Sequence, residues 1–410
     1  MRPEAPSQAA PARPLSIAFC GAAVGCGHGR AALAVRDALR VRGQSGTEIF
    51  VDALDHADRW FTTVYRDGYL CAIRHAPRVM GMVYDRMDVP RHGGRGRGLA
   101  SMLDRMQDRV LRRFRNHPGV HAADAVVSTH FLTTAVLGRM RREGTLAAPL
   151  VTVVTDEHPH AVWLHRGSDA TCVASPAARR TAIAGGLDPA RVEVTGIPVD
   201  PRLDRIGAAS GLGGLGGDRP ARVLVTGGGF GIGDIESTVA AILGRVPSAQ
   251  VTVVCGRNEA LERRMRAAAA ARPAPDARGT ALEVVGYTKE MHRYLGDADL
   301  LVGKPGGLTT AEAKAIGLPM VLLRPIPGQE ERNAQSLVES GAAIRAAGPQ
   351  DAAAAVERLL AEPSALRAMA GAAAANGRPL AAFDVARRVV AEATGLGRPV
   401  MPRLVGMNAA

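Results

Sequence analysis

The chain has 410 residues and a net charge of +12, and its positive charge is almost all arginine, with lysine only at Lys289, Lys304 and Lys314. That length is too great for one ordinary hydrophobic core and suits two domains of roughly 180 residues each. The five cysteines, Cys20, Cys26, Cys71, Cys172 and Cys255, are scattered without a Cys-x-x-Cys pair, which argues against a disulfide framework or a thiolate metal site, and no apolar run reaches the roughly 18 residues of a transmembrane helix.

The opening MRPEAPSQAAPARP lacks the basic-then-apolar order of a signal peptide, so residues 1–14 are expected to be a disordered start and the chain to stay in a reducing cytoplasm. The strand LSIAFC (15–20) then runs through the turn GAAVGCGHG into a helical stretch, RAALAVRDALRVRG, and a second strand, TEIFVDAL. Strand, glycine turn, helix and strand make a βαβ opening, the unit of parallel, doubly wound sheets. Arg30 stands where the dinucleotide fingerprint G-x-G-x-x-G needs its third glycine, although Asp52 could take a ribose hydroxyl; a nicotinamide oxidoreductase is therefore a rival reading. His28, at the start of the helix, is the candidate base. A helix N-terminus disfavours the imidazolium, so the ring stays neutral and able to accept a proton near pH 7; the alternative is a histidine that only packs the turn.

Between Arg59 and His117 lie thirteen arginines against five aspartates, with six of the fourteen aromatic residues. In SMLDRMQDRVLRRFRN, Leu103, Met106, Val110 and Phe114 form one helical stripe, and Arg105, Arg109 and Arg112 another, with Arg113 alongside. VPRHGGRGRG (89–98) reads as a flexible basic loop beside it. Such a helix suits an anionic bilayer, each arginine contributing on the order of 1 kcal/mol, with Arg105, Arg109, Arg112, Arg113 and Phe114 as its membrane residues. The same apolar stripe would also fit a helix packed on an ordinary core. Nucleic acid is not expected as a partner, because no base-stacking motif accompanies the charge.

Downstream, Asp156, His158 and His160 in TDEHPHAVW (155–163) alternate as metal ligands on a strand would, but Pro159 interrupts the strand. The stretch IGAASGLGGLGGDRP (206–220) has few side chains to pack and reads as a linker between domains at 15–205 and 221–375. Beyond it RVLVTGGGFGIG (222–233), DIESTVAAILGRV and AQVTVVCG repeat the opening grammar. The expected architecture is α/β, two Rossmann-like domains facing each other across a cleft. A glycine turn leading into a helix N-terminus is an anion cradle, and paired cradles suit a diphosphate ligand such as a sugar nucleotide. Asp297-x-Asp299 imitates a metal-binding D-x-D but precedes a strand and reads as a turn. In GKPGGLTTAEA (303–313), Lys304 stands before a phosphate-type turn. Glu312 fits two roles there, a ribose ligand or the partner of Thr309 in a capping box.

The stretch GKPGGLTTAEAKAIGLPMVLLRPIPGQEERNA (303–334) resembles the donor-binding segment of glycosyltransferase family 28, the GT-B family of monogalactosyldiacylglycerol synthases, processive diacylglycerol glucosyltransferases and the peptidoglycan UDP-GlcNAc transferase. The resemblance is closest to the diacylglycerol branch. It continues through GCGH, TDEHPHAVW, VTGIPV (194–199), VTGGGFGIG and VVGYTKEM (284–291), in the family's order, over roughly residues 15 to 350.

This resemblance implies inverting transfer of galactose or glucose from a UDP-sugar to diacylglycerol or a glycolipid, by a protein peripherally bound to the inner face of the cell membrane. His28 would be the base. Glu312 would bind the ribose, the backbone around Tyr287 and Thr288 the uracil, and Gly228, Gly229, Gly306, Gly307 and Thr309 the diphosphate, with Lys304 beside them. Gln329 and Glu330 would meet the sugar hydroxyls, supported by Asn333. Asp156, His160 and Trp163 match a family pattern that carries no metal and would line the acceptor side. Donor binding would require neither metal nor cofactor, and inversion needs one base rather than the carboxylate pair of glycoside hydrolases. Residues 376–410 would supply a helix crossing back to the first domain, then a tail. A UDP-GlcNAc-using enzyme of the same fold, transferase or epimerase, and a non-catalytic sugar-nucleotide-binding protein are the alternatives.

Overall fold

Two parallel six-stranded sheets organise the molecule. The structure, a computed structural model, describes residues 14–23, 26–68, 79, 81, 82, 84, 86, 88, 97–206, 219–246, 248–272, 281–326 and 328–396. Much of the basic loop at 89–98, most of the linker at 206–220, the first thirteen residues and the tail beyond 396 lie outside the described residues.

The first sheet contains β1 (Leu15–Gly21), β2 (Ser45–Asp52), β3 (Ala125–Ser128), β4 (Leu150–Val153), β5 (Ala170–Val173) and β6 (Val192–Val194), in the order β2-β1-β3-β4-β5-β6. Its helices include α1 (Cys26–Val41), α2 (Arg97–Val110), α3 (Phe131–Glu143) and α4 (Pro176–Ala184). Strand β1 shows why the run is apolar throughout: Ile17 and Phe19 point into one core cluster, Ala18 and Cys20 into the other. A parallel sheet covered on both faces leaves no polar side.

The second sheet has β7 (Arg222–Thr226), β8 (Gln250–Val254), β9 (Ala281–Val285), β10 (Leu300–Gly303), β11 (Met320–Leu322) and β12 (Ala343–Arg345), in the order β9-β8-β7-β10-β11-β12 when read from the β9 edge. Around it lie α5 (Ile235–Arg245), α6 (Glu259–Ala270), α7 (Met291–Asp297), α8 (Gly307–Ala315), α9 (Gln329–Glu339), α10 (Pro349–Ala361) and α11 (Pro363–Ala375). The chain crosses into this half early: Ile197, Val199 and Leu203 already pack in its core. It returns at the end, where α12 (Ala381–Ala393) lays Ala382, Val385, Ala386 and Val389 against Ile17, Phe19 and Val151 of the first sheet. The return passes through a tight gap. An added Cβ on Gly377 would lie 2.1 Å from the Lys314 carbonyl oxygen, and one on Gly196, whose φ is +89°, 2.6 Å from Arg378 Cβ.

Helix α2 corrects the sequence reading. Of its expected apolar stripe Val110 is buried and Met106 is not, and a polar stripe docks beside it: the buried Arg139 takes Asp108 at 2.5 Å, Gln107 at 2.7 Å and Asp104 at 3.2 Å. Met102 and Met106 are exposed, 60% and 45%, on the same face as the exposed Arg105 and Arg109. The helix ends at Leu111, whose φ of −103° and ψ of 21° turn the chain. Arg112 and Arg113 stay exposed after that break, while Phe114 is wholly buried with Val110 and Leu111. Phe114 is therefore a core residue. Burying its ring contributes roughly 2–3 kcal/mol, and the break at Leu111 lets the chain collect it. Among the described residues no helix is long and apolar enough to cross a membrane.

Candidate functional site

In open parallel sheets the crevice forms where strand order reverses, outside the carboxyl ends of the strands. The first sheet reverses between β1 and β3, the second between β7 and β10. Loops leaving those four strands carry His28, Thr129, the 227–233 glycine turn and Lys304 to Thr309, and the two crevices face each other. They touch closely: an added Cβ on Gly307 would lie 2.2 Å from the Thr155 carbonyl oxygen, so only glycine lets the start of α8 approach the first domain.

His28 is half-buried at the start of α1, with its Nδ1 2.8 Å from the Thr129 carbonyl oxygen and 2.8 Å from Thr155 Oγ1. A carbonyl only accepts, so the proton sits on Nδ1 and donates to Thr129. That leaves Nε2 with the lone pair, and among the described residues nothing hydrogen-bonds it. Burial lowers the ring's pKa to about 4, against the pull of the Thr129 carbonyl. The neutral ring expected from the sequence is present, but desolvation rather than the helix end is its main cause. His130 packs edge-on against it at 4.6 Å and Trp163 lies 6.2 Å away.

Across the cleft a cavity of about 80 Å³, partly open to solvent, is lined by Gly228, Gly229, Tyr287, Thr288, Thr309 and Glu312, with Gly27 and Arg30 from the first domain. The glycine turn is held by backbone bonds, Arg257 N donating to the Gly229 oxygen at 2.9 Å, and Gly228 has φ of +72°. Tyr287 is half exposed with the Arg257 guanidinium 5.0 Å over its ring. Helix α8 is capped by Gly306 without any side-chain bond, so Thr309 sits inside the first turn and the capping box does not form. Glu312 instead accepts from Arg30 Nη2 at 2.6 Å across the cleft, its side chain 3% exposed. Burial raises its carboxyl pKa, and Arg30 opposes that rise.

The remaining donor-side residues gather just beyond. Lys304 pairs with Glu330 at 3.5 Å, and Glu330 also accepts from Ile326 N at 2.8 Å. The buried Asn333 donates to the Pro305 carbonyl at 2.9 Å and keeps a buried Oδ1 without a partner. Gln329, half-buried, begins α9. A segment of the first domain closes this corner: Asp88 pairs with Arg332, and an added Cβ on Gly328 would lie 2.9 Å from the Tyr84 ring.

The expected acceptor-side residues are interior rather than cleft-lining, with Asp156 3%, His160 0% and Trp163 1% exposed. Strand β4 stops at Val153, so the alternation of Asp156, His158 and His160 never becomes one face. His160 binds the Tyr84 carbonyl at 2.8 Å and caps the following turn. Asp156 accepts from the Trp163 indole at 2.7 Å while its Oδ1 is buried without a partner. Burial, and after the indole's downward pull the charge of Glu157, leave Asp156 with a pKa of about 7. A raised pKa means that the folded protein holds a proton the unfolded chain releases, so the stabilisation is complete below about pH 4 and is lost as the pH rises through about 7. Asp156→Asn keeps an acceptor for the indole and carries no charge. It should unfold at higher urea than the parent at pH 8, by the equivalent of about 2–4 kcal/mol, the gap shrinking as the pH falls toward about 4.

Three residues noticed for other reasons turn out to be structural: Asp52 accepts from Ala23 N and Leu54 N, and Asp299, wholly buried, from Arg219 and Arg222 N, with Asp297 at the end of α7. Sequence reasoning missed Thr129, Thr155 and Arg30 as site residues. Arg30 was visible only as the residue that spoils the dinucleotide fingerprint.

The two halves of the chain match two family models, residues 28–199 that of Monogalactosyldiacylglycerol (MGDG) synthase and residues 222–385 that of the Glycosyltransferase family 28 C-terminal domain. The processive diacylglycerol beta-glucosyltransferase of Bacillus subtilis (strain 168) is 30% identical over 252 residues, 61% of this chain and 64% of that protein. The match thus spans just under two thirds of the bacterial relative. The Probable monogalactosyldiacylglycerol synthase 2, chloroplastic, of Oryza sativa subsp. indica is 29% identical over 384 residues, 89% of this chain and 78% of that one. Among solved structures, Acinetobacter baumannii MurG is similar with a TM-score of 0.54 at 18% identity, over 92% of this chain and 99% of that one. S. aureus MnaA, solved with UDP, has a TM-score of 0.54 at 12% identity, over 92% and 95%. At such identities the likeness shows a shared fold.

Proposed function

Because this chain belongs to glycosyltransferase family 28, in the branch of the diacylglycerol glycosyltransferases, and is a transferase of GT-B fold, we propose that it moves a hexose from a UDP-sugar to diacylglycerol or a glycolipid with inversion. The observation that carries this reading is that the helix bearing His28 and the helix bearing Glu312 start at facing switch points and are joined by the Arg30–Glu312 contact; in this reading His28 is the base and Glu312 the ribose ligand.

The acceptor hydroxyl gives its proton to His28 Nε2 as its oxygen attacks the anomeric carbon. The bond from that carbon to the β-phosphate oxygen breaks on the opposite face, its electron pair leaving with UDP. Thr129 holds the tautomer that makes Nε2 the acceptor. The glycine turns and the N-terminus of α8 meet the diphosphate, which calls for no metal. Gln329, Glu330 and Asn333 lie beyond them, where the hexose is placed. Packing of Gly307 on Thr155 excludes the water that would otherwise hydrolyse the donor.

The acceptor arrives from a membrane surface. Met102, Arg105, Met106 and Arg109 project together from α2, and Arg112 and Arg113 follow them. A mixed methionine and arginine face suits an anionic inner leaflet, the apolar groups entering the interface and the guanidinium groups staying with phosphate.

The test is to incubate the protein with diacylglycerol in anionic vesicles and UDP-galactose, UDP-glucose or UDP-GlcNAc, then weigh the extracted lipids by mass spectrometry. A hexosyl lipid formed from one donor is the expected result. Donor consumption without a lipid product would remove the lipid acceptor from the reading, and UDP binding without turnover would leave only a nucleotide-binding protein.

A further inference from the structure

Arg30 belongs to the first domain and Glu312 to the second, yet their side chains meet at 2.6 Å inside the donor cavity. Among the described residues that line this cavity, Arg30 is the one lysine or arginine. Lys304 stands outside the lining and is paired with Glu330. The carboxylate assigned to the ribose is therefore already occupied by a cation, and that cation shares a cavity with Gly228, Gly229 and Thr309, the groups assigned to the diphosphate. Arg30 is one third exposed against 3% for Glu312, so the guanidinium is the partner with room to move.

We propose that Arg30 occupies two positions in turn: it holds Glu312 while the donor site is empty and, when a UDP-sugar enters, cedes Glu312 to the ribose hydroxyls and takes the diphosphate. The inference rests on the UDP-sugar reading above. The exchange conserves pairing, because arginine trades one anion for another and the buried carboxylate trades a cation for two hydroxyl donors. No buried charge is left alone, the condition under which such a swap is cheap. As the bond between the anomeric carbon and the β-phosphate oxygen breaks, negative charge grows on that oxygen, and a guanidinium in place stabilises it more than it stabilises the bound donor. A cation delivered by the first domain also reaches the phosphate only when the cleft is shut, which ties bond breaking to closure.

The two states make opposite demands on uridine and UDP. Uridine must break the ion pair and returns nothing to Arg30, whereas UDP supplies the replacement anion. Calorimetric titration of uridine and UDP into the parent, Arg30→Gln and Arg30→Lys, with hexosyl transfer rates and unfolding temperatures measured alongside, separates the possibilities. The expected result for Arg30→Gln is UDP affinity at least about tenfold weaker, uridine affinity equal or stronger, and turnover at saturating donor reduced by about 10²-fold. Arg30→Lys should recover part of the UDP affinity and of the turnover, with an unfolding temperature close to the parent's. Equal loss of both ligands in Arg30→Gln would make Arg30 a prop for the pocket, equal gain a simple latch, and no change a bystander; each overturns the proposal. A parent protein that binds neither ligand would overturn the UDP-sugar reading itself and the role of Arg30 with it.

Discussion

His28→Ala should lower hexosyl transfer at saturating donor by about 10²- to 10⁴-fold while leaving UDP affinity within a factor of about three, the pattern of a lost general base. The reasoning is geometric first. Thr129 and Thr155 fix Nδ1, so the ring has one way to present Nε2, and alanine leaves nothing in its place. Its pKa adds a second readout. The folded value is lowered to about 4, so the ring is neutral above that pH and is lost as a base only as the pH falls through it. The acid limb of kcat/KM should therefore lie well below the ordinary imidazole range, and an acid limb near pH 6.5 would argue that another group sets the rate. His28→Ala retaining more than about a tenth of the rate would remove it from the chemistry.

Glu312→Ala should raise the KM for the UDP-sugar and weaken UDP binding by about tenfold to a hundredfold, the worth of charged hydrogen bonds to two hydroxyls. Glu312 is almost wholly buried and, among the described residues, its carboxylate bonds Arg30, so the substitution removes the proposed ribose ligand and frees a cation at once. The double variant with Arg30→Gln should therefore lose more than the two single losses combined, since each single variant is also relieved of the ion pair that UDP has to break and the double variant is relieved of it only once. Binding of UDP by Glu312→Ala at the parent's affinity would place the ribose elsewhere.

The site was legible in sequence where chemistry depends on the backbone. A glycine turn between a strand and a helix announces itself, and both crevices follow from two βαβ openings. His28 and Glu312 lie in the early turns of the helices that follow β1 and β10, and the 227–233 turn follows β7, for that reason. What stayed hidden depends on contacts between distant segments. Arg30 and Glu312 are 282 residues apart, and the spacing around Glu312 fits a capping box equally well until the helix start at Gly307 is known. Helix α2 was legible only in part: the stripe of Leu103, Met106, Val110 and Phe114 fitted a membrane face or a core, and spacing could not show that a buried arginine on α3 draws the acidic side inward, leaving Met106 out while Val110 and Phe114 are buried. Asp156, His160 and Trp163 are held inside because Trp163 and the Tyr84 carbonyl claim their polar atoms, partners no local pattern reveals.

The double crossing between the domains, outward by way of Ile197 to Leu203 and home by way of residues 376–380, makes the joint resemble a door hung on two pins. A single strand would let one half twist freely against the other; two adjacent strands leave chiefly a swing about the line joining them. The second pin is cramped, with Gly377 against Lys314 and Gly196 against Arg378, and Lys314 is itself bonded to Glu157 of the opposite half. The alignment proposed for His28 and the hexose would thereby be set partly at the pivot, where a single methyl group would act like a shim under the hinge.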